Sequence, residues 1–171
     1  RRHRSGVRLP GLIGHRRDSV VLGIAVGLFG ITFGVLATTS GLTVAQACAM
    51  SLLVFTGASQ FAAVGVVGAG GAPASAIGTA LLLAARNAAY AVAIGRLLPH
   101  RTAGRLAAAQ LVIDESTAMA LAQNDDASAR EAFWFTGITL YIFWNLGTLL
   151  GALSGEAIGD PRAWGLDAAF P

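Results

Sequence analysis

The sequence predicts an all-α fold, a polytopic membrane helical bundle, and three observations carry that prediction. Of 171 residues, 54% are hydrophobic and only 12% are Asp, Glu, Lys or Arg, whereas soluble domains carry about a quarter charged residues. Residues 19–85 contain no charged side chain, although about 20 apolar residues suffice to cross a bilayer core as a helix. The polar–apolar alternation of a membrane β-barrel is missing, and an open strand in lipid would leave its backbone groups unpaired. The mean hydropathy of +0.63 and the 22 glycines agree, because glycine is more frequent in membrane helices than in soluble ones.

The chain opens with a basic segment, residues 1–18, that includes Arg1, Arg2, Arg4, Arg8, Arg16 and Arg17. Directly before an apolar span, such a cluster orients the N-terminus to the cytoplasm. It is a poorer fit to a nucleic-acid patch, and no nucleic-acid partner is expected. The first span, residues 19–40, is long for a secretory signal and is followed at once by further apolar segments. Turn-forming clusters at residues 38–41 and 68–73 divide the uncharged stretch into spans over residues 19–40, 42–70 and 74–95. A polar connector follows at residues 96–105, then an apolar segment at 106–122, an acidic loop at 123–131 and an aromatic-rich span at 132–153. That makes about five membrane segments in a domain covering residues 19–171. After Gly155 the chain turns polar without closing another helix.

The charge pattern conflicts with simple crossings. Three of them from a cytoplasmic N-terminus would place Arg96, Arg101 and Arg105 outside, against the positive-inside rule. The segment at 42–70 is longer than a bilayer needs and carries Thr56-Gly57-Ala58-Ser59-Gln60 in its middle. A broken or re-entrant helix there restores the count and puts the acidic 123–131 loop outside. The alternative is that the arginine loop is an exception to a statistical rule.

Ionisable residues inside a membrane are functional candidates by default. Arg86 lies within the third span, and Asp114 and Glu115 lie near the middle of the fourth. Arg86 is suited to fork two hydrogen bonds to a carboxylate, from a ligand or from one of these acids. The adjacent acids point about 100° apart on a helix, so one can pair with Arg86 while the other faces a cavity and exchanges a proton. A buried pair that only fixes helix register is the structural alternative. Ser59 and Gln60, at the expected break, are candidates to bind a zwitterion, or interhelical glue. Asn87 and Tyr90 flank Arg86, and Tyr90 shares its helix face. The Gly-x3-Gly repeats from Gly23 to Gly34 and Gly147 to Gly155 fit close helix packing.

Enzyme readings fare poorly. All basic residues other than histidine are arginines, which excludes a Walker A lysine and a lysine Schiff base. Cys48 is the single cysteine, and no cofactor or metal site is indicated. His3, His15 and His100 are read as lying outside the spans, and Asp125, Asp126, Arg130 and Glu131 as a solvated surface.

Gly27-Leu-Phe-Gly-Ile-Thr-Phe-Gly34, Gly41-Leu-Thr, Met50-Ser51, Phe55-Thr-Gly57-Ala58-Ser59-Gln60-Phe61, Arg86-Asn87 with Tyr90, and Asp114-Glu115 occur in that order. From about Gly11 onward the chain resembles the AzlC family, the large subunit of bacterial branched-chain amino acid exporters. One departure is Ala84, where the family usually shows asparagine. Members also normally continue with further membrane helices beyond Gly165-Leu-Asp167, so the resemblance implies that this membrane domain is C-terminally truncated or that its remainder is encoded elsewhere. The resemblance implies an inner-membrane secondary transporter that exports Val, Leu, Ile or similar amino acids with a small membrane partner of the AzlD type. The alternative from another class is a passive channel or a non-transporting assembly subunit.

Overall fold

The computed structural model of the chain describes residues 13–158. The arginines at positions 1–8 and the polar stretch at 159–171 lie outside the described residues. Within them the chain is helical throughout: α1 (Ile13–Thr39), α2 (Val44–Leu53), α3 (Gly57–Gly68), α4 (Pro73–Ala84), α5 (Arg86–Ala93), a 3-10 turn (Gly95–Leu97), α6 (Thr102–Gln110), α7 (Asp114–Leu121) and α8 (Asp126–Ile158). Among the described residues, three stretches are long and apolar enough to cross a membrane: Gly14–Thr39, Pro73–Ala93 and Asp126–Ala157. The second is α4 and α5 taken together.

α1 and α8 form the spine, and they run parallel. Arg16 pairs with Glu131 at one end (Nε to Oε1, 2.8 Å), Ser19 meets Thr136 at 2.7 Å, and Thr38 lies beside Gly155 at the other end. The glycine repeats make this contact possible. A Cβ at Gly147 would overlap the Gly27 carbonyl, one at Gly151 the Ile31 carbonyl, and one at Gly34 the Thr148 carbonyl. Without a hydrophobic drive between helices in lipid, such backbone-to-backbone packing is the main source of association.

Pairing Arg16 with Glu131 fixes the ends of the remaining helices. Arg96, just past α5, reaches Asp126 at 3.0 Å, so residues 96, 126, 131 and 16 lie at one end of the bundle, the basic end. Both termini of the α6–α7 pair are therefore there. At the opposite end Gly68 abuts Ser40, whose Oγ lies 2.6 Å from where a glycine Cβ would stand. Both termini of the α2–α3 pair are consequently at that end. The two pairs are re-entrant hairpins that enter from opposite sides, each interrupted for three residues: 54–56 in one and 111–113 in the other.

The expected break in the 42–70 segment is present, displaced to residues 54–56, with Gly57 to Gln60 forming the first turn of α3. The segment at 106–122 is a correction: it does not cross. Its two helices have nine and eight residues, about 13 Å each at 1.5 Å per residue, less than half of a hydrocarbon core of about 30 Å. The acidic 123–131 loop accordingly lies at the basic end with Arg96, not opposite it. The Arg96 connector thus lies at the same end as Arg16, as the charge pattern expects, and the acidic loop lies there too, against expectation, because acidic residues weigh little in the positive-inside rule. A second correction concerns His15. It lies inside α1, buried, with Nε2 3.0 Å from Glu131, so Glu131 is a clasp between the long helices and not a solvated loop residue.

The hairpin starts follow local chemistry. Thr43 caps α2: its Oγ1 accepts from the Gln46 amide at 3.2 Å while Gln46 Oε1 accepts from the Thr43 amide at 2.9 Å, a reciprocal box that satisfies two otherwise orphaned donors. Asp125 caps α8, accepting the Ala127 and Ser128 amides at 3.0 and 2.9 Å. The Ser128 amide and hydroxyl hold its carboxyl below its usual range. Phe33 stacks on Trp144 at 5.8 Å between centroids, with Phe61 edge-on to both, which locks α3 onto the spine.

Candidate functional site

The two breaks meet beside the middle of α8. Leu52, in the last turn of α2, would offer its carbonyl to Thr56 in an unbroken helix, but the Thr56 amide turns to Val54 instead. The freed carbonyl accepts from Gln110 Nε2 at 2.9 Å and from the Tyr141 hydroxyl at 2.9 Å. One donor comes from the end of α6 and the other from α8, so each hairpin's break is completed by the rest of the bundle. In the second hairpin Ser116 plays the corresponding part. Its Oγ donates to the Leu111 carbonyl at 2.6 Å and accepts the Ile113 amide at 3.2 Å. Backbone freed inside a membrane is tolerated only when re-satisfied in this way.

At this junction a cavity of about 220 Å³ opens, lined by Val26 and Phe29 of α1, residues 55–58 and Phe61 of the first hairpin, Arg86 and Asn87, Ile113 with Asp114 and Glu115, and Trp144. The first turns of α3, α5 and α7 all contribute to its wall. The α3 N-terminus has no side-chain cap, so its leading amides and the positive end of its dipole are available to an anion. Asp114 and Glu115 occupy the first turn of α7, where carboxylates are favoured by that helix's dipole. Arg86 Nη2 stands 4.0 Å from Asp114 Oδ1, at the outer limit of an ion pair, so both groups retain capacity for other partners. The opposite wall is apolar and aromatic.

Of the residues predicted from sequence, Arg86, Asn87, Asp114 and Glu115 come together on this cavity. Arg86 lies within the Pro73–Ala93 stretch and Asp114 and Glu115 near the middle of the 106–122 segment, as expected, but each of the three stands in the first turn of a helix after an interruption. Ser59, Gln60 and Tyr90 do not line it. Ser59 and Gln60 are fully buried in α3, and neither amide atom of Gln60 has a partner among the described residues. Tyr90 is half-buried against the core. The reason is helical phase: Gly57 and Ala58 face the cavity from the first turn, and the next two positions rotate into the bundle. Sequence reasoning missed Phe55, Phe61 and Trp144 as wall residues. Trp144 did carry a signal, because tryptophan concentrates at membrane interfaces and this one lies in mid-span.

Three spans and two opposed half-crossing hairpins, with a charged cavity where the hairpins break, define a polytopic α-helical membrane protein with an intramembrane polar site. The chain belongs to the AzlC family: the family described as AzlC protein matches residues 21–158. Among curated proteins it is similar to an uncharacterized membrane protein of Helicobacter pylori strain 26695, with 29% identity over 81% of this chain and 60% of the relative. It is also similar to an uncharacterized membrane protein of strain J99, with 30% identity over 75% of this chain and 58% of the relative. The chain thus spans about three-fifths of the length of these relatives. No solved structure matches it.

Proposed function

We propose that this chain is the transport subunit of a bacterial inner-membrane secondary exporter of branched-chain or similarly apolar amino acids, with a cytoplasmic N-terminus and a small membrane partner of the AzlD type. The observation that carries the reading is the two-faced cavity: Arg86, Asn87, Asp114 and Glu115 on one side, Phe55, Phe61, Ile113 and Trp144 on the other. A zwitterion with an aliphatic side chain has the same division. Its carboxylate suits Arg86 or the uncapped α3 N-terminus, its ammonium suits Asp114 or Glu115, and its hydrocarbon suits the aromatic wall.

The mechanism follows from the geometry. Hairpins that reach the cavity from opposite ends are the elements whose small displacements would open it to one side or the other, as in transporters with discontinuous helices. One acid holds Arg86 while its neighbour, about 100° away on α7, carries the proton or meets the ammonium. The partner is supported by exposure. Arg86 and Asp114 have side chains 49% and 51% exposed, yet charges in the apolar band cost about 2.5–3.5 kcal/mol on insertion scales. Protein covering the open side of α4, α5 and α7 removes that cost. The test is efflux of labelled leucine, isoleucine or valine from cells expressing this chain with and without its neighbouring small membrane protein. Efflux that requires both supports the reading. No efflux from the pair, at confirmed expression in the membrane, would remove it.

A further inference from the structure

A second cavity, of about 330 Å³, lies away from the transport site at the basic end, lined by Ala91, Val92, Gly95, Leu98, Pro99, His100 and Arg105. We propose that it binds the phosphate of an anionic phospholipid.

Four observations converge on that occupant. The cavity lies next to Arg96, which the Arg96–Asp126 pair assigns to the same end as Arg16, so it stands at membrane-surface depth. Its lining is divided between a cationic side, Arg105 with the titratable His100, and an apolar side, Ala91, Val92, Leu98 and Pro99. Arg16 and Arg96 are held by Glu131 and Asp126, whereas Arg105 has no carboxylate partner among the described residues. Finally, the apolar side continues onto an exposed apolar surface: Val92 is 83% exposed on α5 and Leu106 is 69% exposed on α6.

A free inorganic anion would use the cationic side and leave the apolar side wet. A phospholipid uses both, its phosphate against Arg105 and His100 and its acyl chains along Val92 and Leu106. The site is also built and not merely a loop surface. Pro99 packs on Gly104, with its Cβ 2.8 Å from where a Cβ on that glycine would stand, which folds the connector onto α6. Basic pockets between membrane helices on the cytoplasmic side are established binders of anionic headgroups. The inference is independent of the transported substrate, since none of these residues lines the central cavity.

The test is native mass spectrometry of the purified chain in neutral detergent, titrated separately with phosphatidylglycerol, phosphatidylcholine and inorganic phosphate. One phosphatidylglycerol adduct is expected to outlast phosphatidylcholine, while phosphate alone at the same concentration gives none. Removing one cation near an anionic headgroup weakens binding roughly fivefold, so Arg105→Gln should lose the adduct by about that factor and the His100→Gln, Arg105→Gln double variant by more. Arg101→Gln removes the same charge from the same connector without touching the cavity and should leave the adduct intact. Circular dichroism of each variant confirms the fold. Equal retention of the two lipids, equal loss in Arg101→Gln, or an adduct unchanged in Arg105→Gln would each overturn the proposal.

Discussion

Replacing both donors to the Leu52 carbonyl should destabilise the protein by more than the two replacements do singly. Gln110→Leu and Tyr141→Phe each remove one hydrogen bond while keeping the apolar volume, and each leaves the carbonyl with the other donor. Interhelical hydrogen bonds in membranes average about 0.6 kcal/mol, so the two singles together should cost about 1.2 kcal/mol. In the double variant the carbonyl has no side-chain donor, and its own helix cannot supply one because the Thr56 amide is turned to Val54. A carbonyl left without a donor where no water reaches it in the apolar band costs about 1–3 kcal/mol. We therefore expect the double variant to lose about 2.5 kcal/mol in all, a coupling of about 1.3 kcal/mol. Unfolding in mixed micelles by added sodium dodecyl sulfate, followed by circular dichroism, gives the four free energies of the cycle. Additivity within about 0.5 kcal/mol, the tolerance for independent sites, would refute the argument that these side chains jointly seal the break.

Three further outcomes follow from the same geometry. Asp114→Asn and Glu115→Gln should impair efflux unequally, with pH dependence lost in the more damaging one, because the side chains diverge by about 100°; normal efflux and pH response in both would leave the acids a structural role only. Gly151→Ala forces a methyl into the Ile31 carbonyl and should cost about 1–3 kcal/mol by overpacking, readable in the same unfolding assay, whereas Gly78→Ala, which meets nothing within 4 Å, should be neutral. With Cys48 replaced, cysteines at positions 101 and 124 should be labelled from one side of the membrane and a cysteine at position 70 from the other; labelling of 101 and 124 from opposite sides would disprove the second re-entrant hairpin.

Much of this organisation was legible in the sequence, and the failures have physical causes. Absence of charge over residues 19–85 specifies membrane helices whatever the tertiary fold, and the arginine count at positions 96–105 pointed to one non-crossing segment. The glycine repeats announced close packing but not that α1 and α8 are parallel partners, since small residues mark a contact surface without naming its mate. The second hairpin was not legible: Leu111-Val112-Ile113 contains neither glycine nor proline, and the interruption there depends on Ser116 and on the bundle around it. Asp114, Glu115 and Arg86 stood out because charge in an apolar span is costly wherever it sits. Gln60 stood out as a polar side chain at the expected break and is nonetheless turned into the bundle, because helical phase at a break cannot be read until the first helical residue is known. Phe61 is chemically ordinary in a membrane helix, and only the packing of α3 on α8 makes it a wall together with Trp144.

The central claim is that the cavity between the two helix breaks moves branched-chain amino acids through Arg86 and its acids. It is tested most directly by leucine counterflow in proteoliposomes containing this chain and the proposed small membrane partner, comparing wild type with Arg86→Lys. Uptake of labelled leucine against preloaded leucine, lost in Arg86→Lys because a lysine ammonium cannot reproduce the planar guanidinium fork, is the result the account predicts. Leucine counterflow that proceeds equally well in Arg86→Lys would contradict it.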